Sequence, residues 1–418
     1  MMKKADDKIK KILEKQISLV KPSDEEIKEI NEETRQIVGE IEKNLKKKKI
    51  KAEVFVGGSL AKGTLIRKKD YDIDIFVRFF ENKDISELNQ GSATPILKKA
   101  ERVHGSRDYF RVRRKNILFE IIPVLKINHP EEAKNITDLS YFHVSYVLNE
   151  TRKNKKLAEE IMLAKSFCFS KRVYGAESYI RGFSGYALEL LVSHYKSFLG
   201  FIRAVNKEKR MIVIDPKKFY SNREDVLNQL NESKLASPIV FVDPTFKQRN
   251  ALAALSSETF SKFKTACSLF LKRPSEKSFE DEKIDEKSFN LILEASTNRQ
   301  EGDIAGSKLL KFSRLFSGKL ERYFKIKKSD FSYDGKKSGR LYLKIEKMKS
   351  IIYSGPPINK PERLLAFREK HKNVFIKKHV AYAREKSLSF KLFFNKFLKQ
   401  EKKVMRGMGI TRLRVIKR

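Results

Sequence analysis

Behind Ser23-Asp24-Glu25-Glu26 the apolar positions of this 418-residue chain return every three or four residues, at Ile27, Ile30, Ile37, Val38, Ile41 and Leu45. A serine followed three places on by a glutamate is a capping box, so an amphipathic helix is predicted, running into Lys46 to Lys49. The period then drops to two. Asp72-Ile73-Asp74-Ile75-Phe76-Val77 alternates like a half-buried strand, with Ile73, Ile75 and Val77 on one face. Tyr109 to Arg113 reads as another strand and Ile117 to Val124 as a central one, joined by a turn around Arg114-Lys115-Asn116. From about Leu157 the spacing becomes helical, with apolar stretches through Phe198 to Val205 and again from Asn250 to Phe270.

Pro274 to Lys287 mixes Ser, Glu, Lys and Asp and reads as a linker. Beyond it, Leu291 to Glu294 is a predicted strand, Ser307 to Tyr323 a helix, Asp334-Gly335 a hairpin turn, and Arg340 to Glu346 an alternating strand. Pro361 to His371 is a further predicted helix, opened by its proline. The predicted class is α+β. Residues 1–147 carry the mixed sheet, 148–273 a helical central domain, 274–287 the linker, 288–387 a small α+β body, and 388–418 a helical, basic tail.

Chemistry concentrates between Val56 and Val77. Asp72 and Asp74 leave one strand face, roughly 7 Å apart at about 3.3 Å per residue. Ahead of them, Gly57-Gly58 lets backbone approach a phosphate, and Ser59, Lys62 and Thr64 offer hydroxyl and cationic donors. A Gly-Gly-Ser is ordinarily a turn, and an Asp-x-Asp ordinarily a solvated strand face. The second reading is weakened here, because unpaired carboxylates in an otherwise apolar run are costly unless a cation compensates them. Glu120 is a third such acid, alone among the apolar neighbours of Ile117 to Val124. It is either a buried glutamate paired with Arg111 or Arg113, or the third ligand of a site in which two magnesium ions, roughly 4 Å apart, clamp an in-line phosphoryl displacement.

Gly57-Gly58-Ser59 through Asp74, with the acid on a later strand, resembles the nucleotidyltransferase superfamily of DNA polymerase beta, poly(A) polymerases and oligoadenylate synthetases. Further segments are similar to the class I, archaeal-type CCA-adding tRNA nucleotidyltransferases. They are Asp138, Phe142-His143, Tyr146-Val147, Lys165, Tyr174-Gly175-Ala176-Glu177, Arg181 to Tyr186, Glu189-Leu190-Leu191, Val242-Asp243-Pro244, Arg249-Asn250, Ala253 to Ser256, Gly355-Pro356-Pro357, Phe367 and Lys370-His371.

The resemblance implies a nucleotidyltransferase head, a helical neck and an RNA-recognition-like body, although the aromatic signature of the common RNA-recognition motif is missing. It implies that Asp72, Asp74 and Glu120 bind Mg2+, with Glu120 also accepting the primer hydroxyl proton. Ser59, Lys62, His143, Lys165 and Tyr174 match positions that contact the nucleotide, and Arg249 matches the arginine that reads its base. The implied activity is template-independent transfer of CMP and AMP from CTP and ATP to tRNA lacking all or part of its 3′ CCA, with pyrophosphate released. A homodimer is left open. The alternatives are a poly(A) or oligoadenylate polymerase, and a catalytically inactive RNA-binding protein.

Two positions depart from the family's habit: glutamate stands at 120 where aspartate is common, and lysine at 62 where arginine is frequent. Lysine still neutralises phosphate but lacks the bidentate fork. Each contact residue also has a plainer reading. His143 suits a core-edge histidine bonded to backbone, Tyr174 a packing aromatic, and Lys165 a solvated lysine. The glycines of Arg181 to Tyr186 are read as structural, permitting a tight entry into the next helix.

Composition agrees with a polyanionic partner. Lysine and arginine number 91 against 53 acids, a formal charge of +38, and such a field speeds encounter with nucleic acid. Lys336, Lys337 and Arg340 near Tyr333 and Tyr342, and Arg406, Arg412, Arg414, Lys417 and Arg418, are the candidate RNA surface. No apolar run spans a bilayer, since Tyr186 to Val205 is broken by Glu189, His194, Lys196 and Arg203. Asp6, Asp7 and Glu14 argue against a leader peptide. Only Cys168 and Cys267 occur, in no metal or disulfide spacing, which suits a reducing cytoplasm.

Overall fold

The structure, a computed structural model, describes residues 2–80, 100–105 and 107–418. These form two compact units, one of Met1–Ala176 with Ile180–Glu282, the other of Glu177–Tyr179 with Lys283–Arg418.

The first unit contains β1 (Ala52–Val56), β2 (Tyr71–Phe79), β3 (Glu101–Val103), β4 (Tyr109–Arg114) and β5 (Ile117–Leu125), in the sheet order β1-β2-β5-β4-β3. β2 and β5 run parallel, which places Asp74 opposite Glu120; the other pairings are antiparallel. One sheet face is covered by the helix Asp24–Lys47. Its capping box closes as the sequence implies: Ser23 N donates to Glu26 Oε2 at 2.7 Å, and Glu26 N donates to Ser23 Oγ at 3.2 Å. Ile30, Ile37, Ile41 and Leu45 form its buried side and pack with Tyr71, Ile73, Ile75 and Phe119. Each such side chain contributes about 1.5–3 kcal/mol on leaving water. Burying this face is what presents Asp72, Asp74 and Glu120 on the other.

The rest of the unit is built on the helices Ser140–Lys153, Leu157–Ser170, Gly185–Tyr195, Phe198–Lys207 and Ser257–Lys272. Phe167, Phe183, Phe198, Phe201, Phe263 and Phe270 are all fully buried in one cluster of its core. The region expected to be helical also holds a small sheet, β6 (Ile212–Ile214), β7 (Ile239–Asp243) and β8 (Phe246–Asn250). Ile239-Val240-Phe241-Val242 is a continuous apolar run, buried on both faces, so it carries no alternation to mark it as a strand. The segment read as a linker is packed in its first half, because Phe279 joins the phenylalanine cluster beside Phe167, Phe198 and Phe270.

In the second unit β9 (Leu291–Thr297), β10 (Phe324–Tyr333), β11 (Ser338–Lys347) and β15 (Ile410–Lys417) form an antiparallel sheet ordered β10-β11-β9-β15. Helices Asp303–Leu320 and Phe390–Gln400 share its core through Leu309, Phe312, Phe316, Phe393 and Phe397. The Asp334-Gly335 turn is present, with Asp334 Oδ1 accepting from Lys336 N and Ser338 N. A second sheet, β12 (Ser350–Pro357), β14 (Val380–Lys386) and β13 (Val374–Lys377), lies with the helix Pro361–Lys370. The tail is not simply helical. After Phe390–Gln400 and Lys402–Gly407 it ends as the edge strand β15, whose frequent Arg and Lys side chains hide the apolar alternation and suit an exposed edge.

Candidate active site

Between β1 and β2 the chain makes a turn that only glycine allows. Gly57 N donates to Asp74 O at 2.9 Å, and Gly58 has φ of +59°. A Cβ on Gly58 would fall 1.8 Å from Asp74 Oδ2, so the turn lies directly against that carboxylate. The two glycines therefore position a site floor rather than merely reverse the chain.

Over this turn opens a cavity of about 290 Å³. Its lining includes Ser59, Lys62, Thr64, Lys68, Asp72, Asp74, Lys165, Phe169, Tyr174, Tyr186 and Glu189. Six of the residues expected at the site thus meet there: Ser59, Lys62, Asp72, Asp74, Lys165 and Tyr174. Tyr174 stacks on Phe169 with centroids 3.9 Å apart, and Lys68 Nζ stands 4.7 Å over the Phe169 ring and 3.6 Å from Asp72 Oδ2. One wall is therefore aromatic and the others charged.

Glu120 stands at the register position beside Asp74, but its Oε1 accepts from Arg111 Nε at 3.0 Å and from an Arg111 terminal nitrogen at 2.9 Å. The pairing with Arg111 is the first of the two readings of this acid from sequence. Among the described residues no three acidic, histidine or cysteine side chains converge as a finished metal cage. The carboxylates nevertheless crowd one another. Burial and the charge of Glu120 push Asp74 up to about 7, against the pull of Lys62 and Lys165. Burial likewise raises Glu120, against the pull of Arg111. Carboxylate oxygens that crowd one another are the donor type a hard divalent cation takes.

His143 and Arg249 gather elsewhere, around the buried Asp243. Arg249 Nη1 donates to Asp243 Oδ2 at 2.5 Å, Tyr186 Oη donates to Asp243 Oδ1 at 3.0 Å, and His143 Nε2 lies 3.3 Å from Oδ2 without the alignment of a hydrogen bond. The His143 ring stacks on Tyr186 at 4.0 Å. Since Tyr186 also lines the cavity, it is the side chain through which this cluster reaches the site. Burial pulls His143 below the ordinary histidine range. Burial also pushes Asp243 up, but His143 and Arg249 reverse this and hold it well below the usual carboxylate range.

Glu189 had no assigned role, and the structure places it at the centre. It is fully buried and bound by Lys62 Nζ at 2.6 Å, Lys165 Nζ at 2.9 Å and Thr64 Oγ1 at 2.9 Å. The signal was available: a single acid in the apolar run Ala187 to Val192, the same pattern that singled out Glu120. One expectation about the second unit changes: Tyr342 is buried beside Phe289 and offers no free stacking face, whereas Arg340, paired with Glu294 and Glu286, keeps 43% of its side chain exposed.

A strand pair bearing acids, a glycine turn against them and lysines opposite define a nucleotidyltransferase. A family model described as a nucleotidyltransferase domain matches residues 36–138, and one described as the second domain of tRNA nucleotidyltransferase matches residues 159–280. The CCA-adding enzyme of Nanoarchaeum equitans is 35% identical over 335 residues, covering 78% of this chain and 81% of that one. That of Methanocaldococcus jannaschii is 28% identical over 391 residues, covering 88% and 86%. The chain belongs to the CCA-adding enzyme family. Among solved structures, the Cid1 poly(U) polymerase aligns with a TM-score of 0.51 at 14% identity, over 65% of this chain and 98% of that one, which speaks to the fold.

Proposed function

We propose that this enzyme, without a template, transfers CMP and AMP from CTP and ATP to the 3′ end of tRNA lacking all or part of its CCA, releasing pyrophosphate. The observation that carries this reading is the meeting of Asp72 and Asp74 with Lys62 and Lys165 around one cavity, in a chain of this family. Nucleotidyltransferases of this class require divalent metal. Asp72, Asp74 and Glu120 would hold it, magnesium in this proposal, and bound there it would neutralise charge on the reacting phosphate.

The chain's own groups supply the rest. Lys62 faces the cavity as a phosphate counter-charge, and the Ser59 hydroxyl adds a neutral donor. The Phe169–Tyr174 pair presents an aromatic surface to ribose or base. Glu120 accepts the primer hydroxyl proton at a carboxylate oxygen, Oε2 having no hydrogen bond to Arg111. Arg249, steadied by Asp243, reads the base with its remaining N–H groups.

Among the described residues no helix is long and apolar enough to cross a membrane. The test is direct: incubate the protein and magnesium with tRNA truncated before its CCA and with each nucleotide, alone and together, then sequence the product ends. CTP and ATP should restore CCA and stop. Extended adenosine tails would instead mark a poly(A) polymerase, and no incorporation an inactive RNA-binding protein.

A further inference from the structure

We infer that Glu189 is a positioning residue for the nucleotide's β- and γ-phosphates, acting by fixing where the Lys62 ammonium stands at the cavity wall. This rests on the cavity being a nucleoside triphosphate site, and it assigns a task to a residue whose charge is the wrong sign for touching phosphate.

The hydrogen-bond accounting separates the two lysines. An ammonium has three N–H groups. Lys165 spends all of them inside the protein, on Thr64 O at 3.2 Å, Thr64 Oγ1 at 2.9 Å and Glu189 Oε1 at 2.9 Å. Lys62 makes one hydrogen bond among the described residues, to Glu189 Oε2 at 2.6 Å, and so keeps two N–H groups for a ligand. Among the described residues its one tether is Glu189. Thr64 and Lys165 hold the other carboxylate oxygen, so the tether is itself braced from the Leu157–Ser170 helix.

Energetics point the same way. The Lys62, Lys165 and Glu189 side chains are 9%, 3% and 0% exposed. Burying three charges is expensive, and apolar residues of similar volume often stabilise as well or better. What apolar residues cannot supply is an ammonium on a four-carbon stem held still. Two cations and one anion also leave a single net positive charge at the wall. Burial pushes Lys165 down, and Glu189 opposes that shift.

Counting charge alone gives the opposite expectation, because Glu189→Gln makes the cavity more positive and should tighten triphosphate binding. The experiment measures equilibrium binding of CTP and of CMP, with magnesium and without tRNA, to the full-length parent and its variants. Glu189→Gln should weaken CTP at least about tenfold and leave CMP unchanged, since CMP lacks the outer phosphates. Lys62→Gln should do the same, and the double variant should be no worse than Lys62→Gln alone. Tighter or unchanged CTP binding, an equal loss for CMP, or additive losses in the double variant would each overturn the proposal. Should Glu189→Gln not fold, Glu189→Asp keeps the charge but falls a methylene short; it should show an intermediate loss for CTP only, and parent-like CTP binding would overturn the proposal. A parent that binds CTP yet adds nothing to truncated tRNA would sink the CCA-adding reading while leaving this test intact.

Discussion

The cations of the cavity and those of the second unit obey different physics. Lys62 and Lys165 are almost wholly buried, and a shared carboxylate anchors them both. Lys336 and Arg412 are exposed, where water and salt screen them over about 8–10 Å. The +38 charge of the chain is therefore two kinds of charge. Buried, partnered cations are oriented and can discriminate; exposed ones supply a field that attracts a polyanion without choosing its atoms.

The largest expected effect lies at the acids facing the buried cations. Asp72→Ala or Asp74→Ala should reduce incorporation by several orders of magnitude while tRNA affinity stays near parent, because the proposed metal ligand is removed and the exposed cations are untouched. Rates near the parent would remove these acids from the chemistry. Glu120→Gln should lose most activity and Glu120→Asp retain it, as single-turnover rates would show. A Gln variant at full speed would leave Glu120 only as the partner of Arg111.

Acid unfolding probes the buried cluster by its sign. Burial raises Glu189, but Lys165 and Lys62 outweigh this and hold it down to about 2, from an ordinary 4.5. Its contribution is therefore complete above about pH 4.5 and is lost as the pH falls toward 2, worth a few kcal/mol. Glu189→Gln should flatten the decline of stability across that window in urea titrations. An identical pH profile for both proteins would mean that Glu189 gains nothing from its lysines.

Arg249→Ala should relax discrimination among CTP, ATP, UTP and GTP by part of the roughly 1–3 kcal/mol that a good polar contact to a base provides. A uniformly slower rate with unchanged discrimination would assign Arg249 to the fold through Asp243. The smallest effect belongs to the exposed set. Arg412→Ala or Lys336→Ala should weaken tRNA binding slightly for every tRNA alike and lower the log-log salt slope by no more than about 0.7 to 0.9 each. A tenfold loss from either would make that cation as specific as Lys62.

The sequence alone determined what depends on near neighbours in the chain. The capping box at Ser23, the alternation that sets Asp72 and Asp74 on one strand face and buries Ile73 and Ile75 on the other, and the turn at Asp334-Gly335 all follow from local geometry, so their periods and residue types announce them. It also carries Glu120 and Glu189 as acids in apolar runs, with arginines near Glu120 in the chain but neither lysine partner near Glu189. The latter pairing was decided by tertiary structure. Lys62 and Glu189 lie 127 positions apart, His143 and Asp243 a hundred, and no local rule pairs them. For the same reason β7 hid in an unbroken apolar run, Phe279 left an apparent linker for a core, and a basic tail ended as a strand. Burial and partnership are properties of the folded chain, and they decide which of many lysines and acids become a site.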